Sequence, residues 1–521
     1  MNEPNEQREQ QDGGSEDLQK RRRRRGRRRW KNRGGSSSSG SPEESQPGAL
    51  ENQSSDEDPE TPGGQEAEGQ IQQGEVAVQE VQEETAETIS PAVWEIPQDR
   101  PEGFGYRKGQ LYCEAVAITP ILERVGTPTY IYSYHLLMSR YQRFFEAFQE
   151  LNPLICYSMK ANGSLAVLKA LTDTGAGLDI VSGGELYKAQ RVGLEGDRIV
   201  FAGVGKTAAE IEEALHAKIL LFNVESIEEL QLINQVAGKM RVKASVSLRI
   251  NPDVQPGTHN YMTTGKAGTK FGLDLQTVQD LFQYRDQYAN IKFSGVHLHI
   301  GSQITQIQPF ADALQKVVPL IQQCKEQGHP LEWVNLGGGL GIDYRDGAEG
   351  SPEELAQAVI PILKELGVKL ILEPGRFIVG PAGVLAGKIL YVKETPAKKF
   401  VITDIGMNDL MRPALYQAYH RITPVKQPPE EAMQLQIADV VGPVCETGDF
   451  VAQDREMAPV AAGDFLVVSE AGAYGFSMAS NYNARLRPAE VFVIGDHYYI
   501  VREREEYPDL IKGESIPLEL T

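Results

Sequence analysis

The sequence has few cysteines and no long apolar run. Only four of its 521 residues are cysteines; they are Cys113, Cys156, Cys324 and Cys445. They are scattered and include no C-x-x-C pair, which argues against a zinc site or a disulfide framework and favours a reducing, cytoplasmic location. No apolar run is long enough to cross a bilayer. The N-terminus, MNEPNEQREQQDGG, lacks the apolar core of a secretory signal and carries acids, which transit peptides avoid.

Acidic residues outnumber basic ones, 72 to 52. The formal net charge is -20, which argues against general nucleic-acid binding by the folded body. The exception is an arginine block at Arg21–Arg29, interrupted by Gly26 and followed by Trp30. The surrounding residues 1–92 hold almost no branched or aromatic side chains, so we expect a disordered tail. The block could bind RNA or an anionic surface; the alternative is a solvated tail whose basic and acidic halves neutralise each other.

From Ala92 onward, short apolar runs alternate with longer amphipathic stretches. Eight runs predict strands, at 154–159, 177–182, 198–203, 218–224, 242–250, 292–300, 331–337 and 368–375. Eight strand–helix repeats in about 220 residues predict an α/β fold, a (β/α)8 TIM barrel. An open doubly wound sheet is the alternative. It would show fewer strands and a phosphate fingerprint after the first one.

After about residue 385 the pattern becomes rich in strands and lacks comparable helices, which predicts an antiparallel β-sandwich or barrel-like domain. The chain therefore divides into four predicted parts. They are the disordered tail 1–92, a segment 93–136 that joins the C-terminal β domain, the barrel 137–385 and the β domain 386–521.

The active sites of such barrels lie at the carboxyl ends of the strands, and unusual polar residues occur there. Lys160, in CYSMKANGSL, follows the first strand, where lost hydration should lower the pKa of its amine. It could be a snorkelling surface lysine, an anchor for a phosphate or carboxylate, or an amine that forms an imine. Other predicted strand ends carry Asp179, Arg249, His299 with Ser302, Gly337 to Gly339, and Glu373 with Gly375 and Arg376.

Three of these features suggest a ligand. The NLGGGLG stretch could hold a phosphate, because glycine lets backbone amides approach an anion, although glycine runs also form ordinary turns. Glu373 could pair with a protonated pyridine nitrogen, or with Arg376 or Arg249. His299 could stack on a ring, or be a core histidine bonded to backbone. An imine-forming lysine, a phosphate site and a ring partner together describe pyridoxal phosphate.

From about residue 93 to its end, the chain resembles the diaminopimelate decarboxylase family of barrel-type (fold type III) pyridoxal-phosphate enzymes. The matching stretches, in family order, are YSMKAN, DIVSGGEL, RINPDV…THNYMTTG…KFG, HLHIGSQI, NLGGGLGI, EPGRFIVG, MRPALYQAYH, VVGPVCETGDF and GAYGFSMASNYNARLRPAEV. The resemblance implies decarboxylation of meso-2,6-diaminopimelate to L-lysine and carbon dioxide, the last step of lysine biosynthesis. It also implies a homodimer with its active site at the subunit interface. The N-terminal extension and the spacing at Met457-Ala458 depart from the family pattern.

The resemblance also implies a role for each site residue, and no metal. Lys160 would be the Schiff-base lysine with Asp179 near it, and His299 would stack on the ring. The phosphate cradle would comprise Ser302, Gly337, Gly338, Gly339 and Gly375, with Arg376 also near the cofactor and Glu373 on the pyridine nitrogen. The substrate carboxylate would meet Arg376, Arg412 and Tyr416, and the distal amine Glu446. Cys445 would donate the proton, Tyr474 would contact cofactor and substrate, and Cys445 and Glu446 would come from the second subunit.

Several alternatives stay open. Cys445 could be a small apolar residue in a strand, and Tyr474 a packed loop tyrosine. A related barrel decarboxylase acting on ornithine, arginine or carboxynorspermidine would share Lys160 and the glycine run. A substrate without a distal carboxylate would leave a buried arginine unpaired, which argues against ornithine. An alanine-racemase-like enzyme, a non-catalytic barrel and an RNA-associated role through the tail are the remaining possibilities.

Overall fold

The computed structural model describes residues 103–254, 269–345, 349–429, 431 and 434–520. The predicted disordered tail, its arginine block and the THNYMTTG stretch lie outside the described residues. Within these ranges, no helix combines the length and the apolar character needed to cross a membrane.

The described chain begins with a small sheet and one further strand. Strands are numbered in chain order as β1 (Phe104–Arg107), β2 (Gln110–Cys113), β3 (Val116–Ala117) and β4 (Thr129–Ser133), with helix α1 (Ile118–Val125) before β4. β1, β2 and β3 pair in sequence, whereas β4 leaves this sheet and pairs elsewhere.

Eight parallel strands close into a barrel, as the sequence predicted. They are β5 (Leu154–Ser158), β6 (Gly177–Ile180), β7 (Ile199–Phe201), β8 (Leu221–Val224), β9 (Ala244–Ile250), β10 (Ile291–Leu298), β11 (Trp333–Asn335) and β12 (Lys369–Leu372). Each lies within or overlaps one predicted run, and they neighbour one another in chain order, with β12 beside β5. Strands of such barrels are covered on both faces, which explains their nearly continuous apolar sequence.

Helices connect the strands and surround the barrel. They are α2 (Tyr134–Phe148), α3 (Leu165–Thr172), α4 (Gly183–Arg191), α5 (Ala208–His216), α6 (Ile227–Met240), α7 (Leu275–Gln283), α8 (Gln308–Glu326) and α9 (Pro352–Leu366). Most begin after a residue whose side-chain oxygen accepts a first-turn amide, namely Ser133, Ser182, Thr207, Ser226, Asp274 and Ser351.

The C-terminal part forms the predicted β domain. Its strands are β13 (Gly383–Glu394), β14 (Lys399–Thr403), β15 (Ile422–Pro424), β16 (Gln436–Val441), β17 (Phe450–Met457), β18 (Phe465–Val468), β19 (Ala489–Ile494) and β20 (His497–Arg502). Short helices α10 (Arg376–Val379), α11 (Arg412–Tyr416) and α12 (Tyr507–Leu510) accompany them. Most pairings are antiparallel, but β14–β16 and β4–β19 are parallel.

The early strand β4 lies inside this C-terminal sheet, between β13 and β19. We therefore propose 93–136 as a segment of the β domain, followed by a barrel domain at 137–385 and a β domain at 386–521. The last boundary falls within β13, which continues from the barrel side into the sheet.

A loop of the β domain covers the carboxyl end of β5. The Tyr474 amide donates to the Ala161 carbonyl (2.8 Å), and the Asn162 side chain donates to the Gly472 carbonyl (3.1 Å). Ala161 and Asn162 are the two residues that directly follow Lys160. The barrel lysine and the β-domain loop therefore belong to one packed region.

Candidate active site

Lys160 lies in a short 3-10 turn directly after β5. Its ammonium donates to Asp179 Oδ2 (2.9 Å), and the Ser158 hydroxyl donates to the same oxygen (2.7 Å). Asp179 is fully buried on β6, whereas the Lys160 side chain keeps 33% of its surface exposed. The amine is therefore held against a buried carboxylate, unlike that of a snorkelling surface lysine.

The pKa of Lys160 moves in the opposite direction from the sequence-based expectation. Burial by itself would lower it, but the nearby charge of Asp179, with contributions from Tyr474 and Glu373, raises the pKa above its ordinary value. The expectation was wrong because the sequence alone did not show how close Asp179 would lie.

Glu373 follows β12 and is 2% exposed. Its Oε1 accepts hydrogen bonds from Asn335 Nδ2 (2.6 Å) and Asn223 Nδ2 (2.9 Å), and its Oε2 lies 3.2 Å from His297 Nε2. Burial would raise the pKa of Glu373, but the interaction with His297, supported by Lys160, brings it well below its usual range. The carboxylate is thus held ionised in a fixed orientation.

The alternative ion pairs of Glu373 are not formed. Arg249 instead pairs with Glu225 (2.8 Å) and donates to the His299 carbonyl (3.2 Å). Arg376 makes its hydrogen bonds elsewhere.

The glycine run after β11 passes very close to neighbouring backbone. A Cβ on Gly338 would lie 2.0 Å from the Glu373 carbonyl oxygen, and one on Gly339 would lie 2.3 Å from the Gly301 carbonyl oxygen. Gly337 and Gly339 also have positive φ angles, +65° and +112°, which favour glycine. Side chains at these positions would therefore force the backbone apart.

Two amides of the run are already used within the protein. The Gly337 amide donates to Asn335 Oδ1 (2.8 Å) and the Gly338 amide to His299 Nδ1 (3.2 Å). Of the three glycines, Gly339 is the one whose amide donates to neither Asn335 nor His299. Burial, with the charge of Arg249, lowers the pKa of His299 well below its usual value, so its ring is neutral and can accept.

Two buried arginines, Arg376 and Arg412, meet around Tyr344. Arg376 donates to the Tyr344 hydroxyl (2.7 Å) and to Ser302 Oγ (3.0 Å). The guanidinium carbon of Arg412 lies 4.7 Å from the centre of the Tyr344 ring, and its Nη1 lies 2.7 Å from His420 Nε2. The structure thus brings together two cations that are far apart in sequence.

The remaining expected residues divide into two groups. Tyr474 contacts Arg376 through its ring (4.8 Å), and Tyr416 ends α11, the helix that Arg412 begins.

Cys445 and Glu446 are exposed. The Cys445 amide donates to Asn483 Oδ1 (3.0 Å), and the Tyr482 hydroxyl donates to Glu446 Oε2 (2.7 Å).

The structure adds functional candidates that the sequence interpretation did not name. They are Asn223, His297, Asn335, Tyr344 and His420. The sequence did contain some indication of these residues. His297 is two residues before His299 on the strand predicted at 292–300, and residues with that spacing on a strand point to the same face. His420 also ends the MRPALYQAYH stretch, eight residues after Arg412. Asn223 and Tyr344 could not be assigned in this way, because the partners that they contact are distant in sequence.

The chain is similar to known enzymes over most of its length. Residues 135–380 match the family model described as "Pyridoxal-dependent decarboxylase, pyridoxal binding domain". A diaminopimelate decarboxylase of Aquifex aeolicus is 44% identical over 78% of this chain and 96% of its own. One from Neisseria meningitidis serogroup A is 46% identical over 78% and 98%.

A solved structure supports the same relationship. The diaminopimelate decarboxylase of M. jannaschii in complex with L-lysine is 39% identical and has a TM-score of 0.76. The similarity covers 81% of this chain and 99% of that one.

The residues present fit pyridoxal phosphate. Lys160 supplies an amine, and Glu373 supplies an anion in a fixed orientation. The glycine run has no side chains that would keep a phosphate away from its backbone. Within the described part of the chain, Asp179 Oδ1 and Arg376 Nε are buried without a hydrogen-bond partner, so polar capacity remains for a ligand. The chain therefore belongs to the diaminopimelate decarboxylase family, whose members are pyridoxal-phosphate-dependent carboxy-lyases with a barrel fold.

Proposed function

We propose that this enzyme converts meso-2,6-diaminopimelate to L-lysine and carbon dioxide, the last step of lysine biosynthesis. The observation that carries the substrate assignment is the pair of buried arginines, Arg376 and Arg412. The names of the relatives and the lysine bound to one of them support it. Buried guanidiniums need anionic partners, and they bind carboxylates through two hydrogen bonds at once. A substrate with a carboxylate at each end meets this requirement.

Pyridoxal phosphate, when bound, supplies an electron sink for the electron pair left by the departing carbon dioxide. Lys160 Nζ would hold the cofactor's aldehyde carbon, and Glu373 would face the pyridine nitrogen. His299 would lie against the ring. The phosphate would be held by Ser302, Gly337, Gly338, Gly339 and Gly375, with the Gly339 amide as the main donor of the glycine run. Arg376 would lie near the cofactor.

Asp179 keeps the Lys160 amine in place. Its Oδ2 accepts from Nζ and from the Ser158 hydroxyl, so the amine has one preferred direction. A protonated amine is favoured there because the pKa of Lys160 is raised.

The substrate would lie between the barrel and the β domain. Arg376, Arg412 and Tyr416 would bind its distal carboxylate, and Tyr474 would contact both substrate and cofactor. The enzyme would discriminate against a substrate without that carboxylate, because such a substrate leaves buried cations unpaired. Ornithine is therefore a poor substrate in this proposal.

The proton donor is proposed to come from a second copy of the chain. In a homodimer, Cys445 of the partner subunit would deliver its Sγ proton to the carbon that lost carbon dioxide, and Glu446 of the partner subunit would bind the distal ammonium. The exposure of both residues in a single chain supports this arrangement.

Two further proposals concern the chain as a whole. All four cysteines are free thiols, which supports a reducing cytoplasmic location. The arginine block at Arg21–Arg29 is proposed to make weak contacts with RNA or another anionic surface.

The first experiment is to measure carbon dioxide and lysine released from meso-diaminopimelate by purified protein with pyridoxal phosphate. Lys160→Ala serves as the control. We expect equal amounts of both products from the unchanged protein and none from the variant. If cofactor-loaded protein releases carbon dioxide from ornithine or arginine but not from meso-diaminopimelate, the substrate assignment is wrong.

A further inference from the structure

The two arginines are held by residues to which the family resemblance assigned no role. We propose that Tyr344 and His420 are positioning residues that hold Arg376 and Arg412 as one rigid unit and thereby set the affinity for the substrate's distal carboxylate. This inference rests on the proposed function. It adds a structural explanation of how the enzyme would prefer a substrate with a distal carboxylate.

Two buried guanidiniums near each other repel. Burial lowers the pKa of Arg412, and the charge of Arg376 acts in the same direction. Something must therefore keep both arginines directed into the site.

Tyr344 serves both arginines with different parts of its side chain. Its hydroxyl accepts from Arg376 (2.7 Å), and its ring lies against the Arg412 guanidinium (4.7 Å). The face of an aromatic ring is electron-rich and attracts cations. One tyrosine thus reduces the repulsion and fixes the spacing between the two cations.

His420 fixes Arg412 from the other side. It is fully buried, and its Nδ1 lies 2.8 Å from the Ser469 carbonyl. A carbonyl only accepts, so Nδ1 carries the proton and Nε2 is left as the acceptor for Arg412 Nη1 (2.7 Å). Arg455 also donates to the His420 carbonyl (2.5 Å), which anchors the histidine to β17.

Tyr344 and His420 also contact each other, edge to face, with ring centres 5.3 Å apart. The four side chains form a continuous cluster in which each arginine has a fixed neighbour. A guanidinium with a fixed direction loses less conformational freedom when it binds a carboxylate. The predicted consequence is tighter substrate binding, with little effect on the reacting end of the substrate.

The test is steady-state kinetics on cofactor-loaded enzyme with meso-diaminopimelate. We compare His420→Leu, which removes the acceptor, with His420→Gln, whose side-chain oxygen can replace it. Tyr344→Phe removes only the hydroxyl. Tyr419→Phe is the matched control, because Tyr419 stacks on Arg345 and Arg455 and on neither site arginine.

We expect His420→Leu to raise KM about tenfold to hundredfold, the range for losing a hydrogen bond to a charged group. Tyr344→Phe should also raise KM, and His420→Gln should recover much of the loss. In all variants kcat should change less than about threefold, because the reacting groups are not touched. The cofactor absorbance spectrum and Tyr419→Phe kinetics should match those of the unchanged enzyme.

Unchanged KM in Tyr344→Phe and His420→Leu would overturn the proposal, as would a fall in kcat at constant KM. Equal losses in His420→Gln and His420→Leu would indicate a merely structural role for the histidine and would also overturn it. If His420→Leu does not fold, Tyr344→Phe and His420→Gln decide. An unchanged enzyme that is inactive on meso-diaminopimelate would instead refute the proposed function.

Discussion

Replacing Asn335 by aspartate should exchange a hydrogen-bond donor to Glu373 for a second negative charge, with little change in the shape of the side chain. Asn335 uses both ends of its amide: Nδ2 donates to Glu373 Oε1 (2.6 Å), and Oδ1 accepts from the Gly337 amide (2.8 Å). In Asn335→Asp the acceptor remains, but a carboxylate oxygen replaces the donor. Two carboxylates then face each other in a buried position.

The expected cost has two parts. The lost hydrogen bond to a charged group contributes about 1.5–3 kcal/mol. Repulsion between two charges about 4 Å apart adds up to about 4 kcal/mol at an effective dielectric constant of 20. The pair can avoid this repulsion by binding a proton, which raises its shared pKa above that of the unfolded chain.

The sign of the pH dependence follows from that proton. In the unchanged protein the lowered pKa of Glu373 contributes stability above the unfolded pKa of about 4.3, and this contribution is lost as the pH falls through the folded pKa. In Asn335→Asp the raised pKa of the pair has the opposite effect. Its contribution is present at low pH and is lost as the pH rises from about 4 through the raised value.

The assay is urea unfolding of both proteins at pH 5.5 and pH 8, with pyridoxal-phosphate affinity measured by absorbance titration. Asn234→Asp is the matched control, because Asn234 Oδ1 accepts from the Asn290 amide (3.0 Å) and remains an acceptor after substitution. We expect a larger loss of stability at pH 8 than at pH 5.5, and at least about tenfold weaker cofactor binding at pH 8. Equal stability of variant and parent at both pH values, or a deficit that grows toward acid, would refute the reasoning.

Four other predictions concern separate parts of the chain. Gly338→Ala would place a Cβ 2.0 Å from the Glu373 carbonyl oxygen; we expect a loss of about 1–3 kcal/mol and weaker cofactor binding, and unchanged thermal unfolding would contradict this. Lys160→Arg keeps the positive charge but removes the primary amine, so it should fold, measured by circular dichroism, and release no carbon dioxide. Deleting residues 1–92 should leave kcat and KM unchanged, because every proposed site residue lies after them; loss of activity in a folded truncated protein would show otherwise. Cys445→Ser should lower kcat far more than KM if its thiol donates the proton, and equal changes in both would argue against that role.

Much of the barrel was predictable because its strands are buried on both faces. Runs such as 154–159 and 368–375 are largely apolar, and they contain the observed β5 and β12. The carboxyl ends of parallel strands lie on one face of a barrel, so Lys160 and Glu373 were expected in the same region. Their electrostatic interaction in the structure agrees with this.

The partners of Glu373 could not be predicted in the same way. They come from β8, β10 and β11, and β8, β10 and β12 are alternate strands, whose inward side chains meet inside a barrel. Which residue faces which depends on register and strand tilt, and one residue of slip would reverse each side chain. The raised pKa of Lys160 could not be predicted for the same reason, because it depends on how close Asp179 lies in the folded chain.

The strand and helix pattern, the barrel and β-domain architecture, and the positions of the lysine, the glycine run and the strand-end acid could all be predicted from the sequence. These features are local: burial sets the period, and glycine is required where backbones approach closely. Other contacts became known from the folded chain alone: Asp179 holds Lys160, two asparagines and a histidine hold Glu373, and Tyr344 contacts both Arg376 and Arg412. Those contacts depend on chain closure and on packing between the two domains, which bring side chains distant in sequence to within hydrogen-bonding distance.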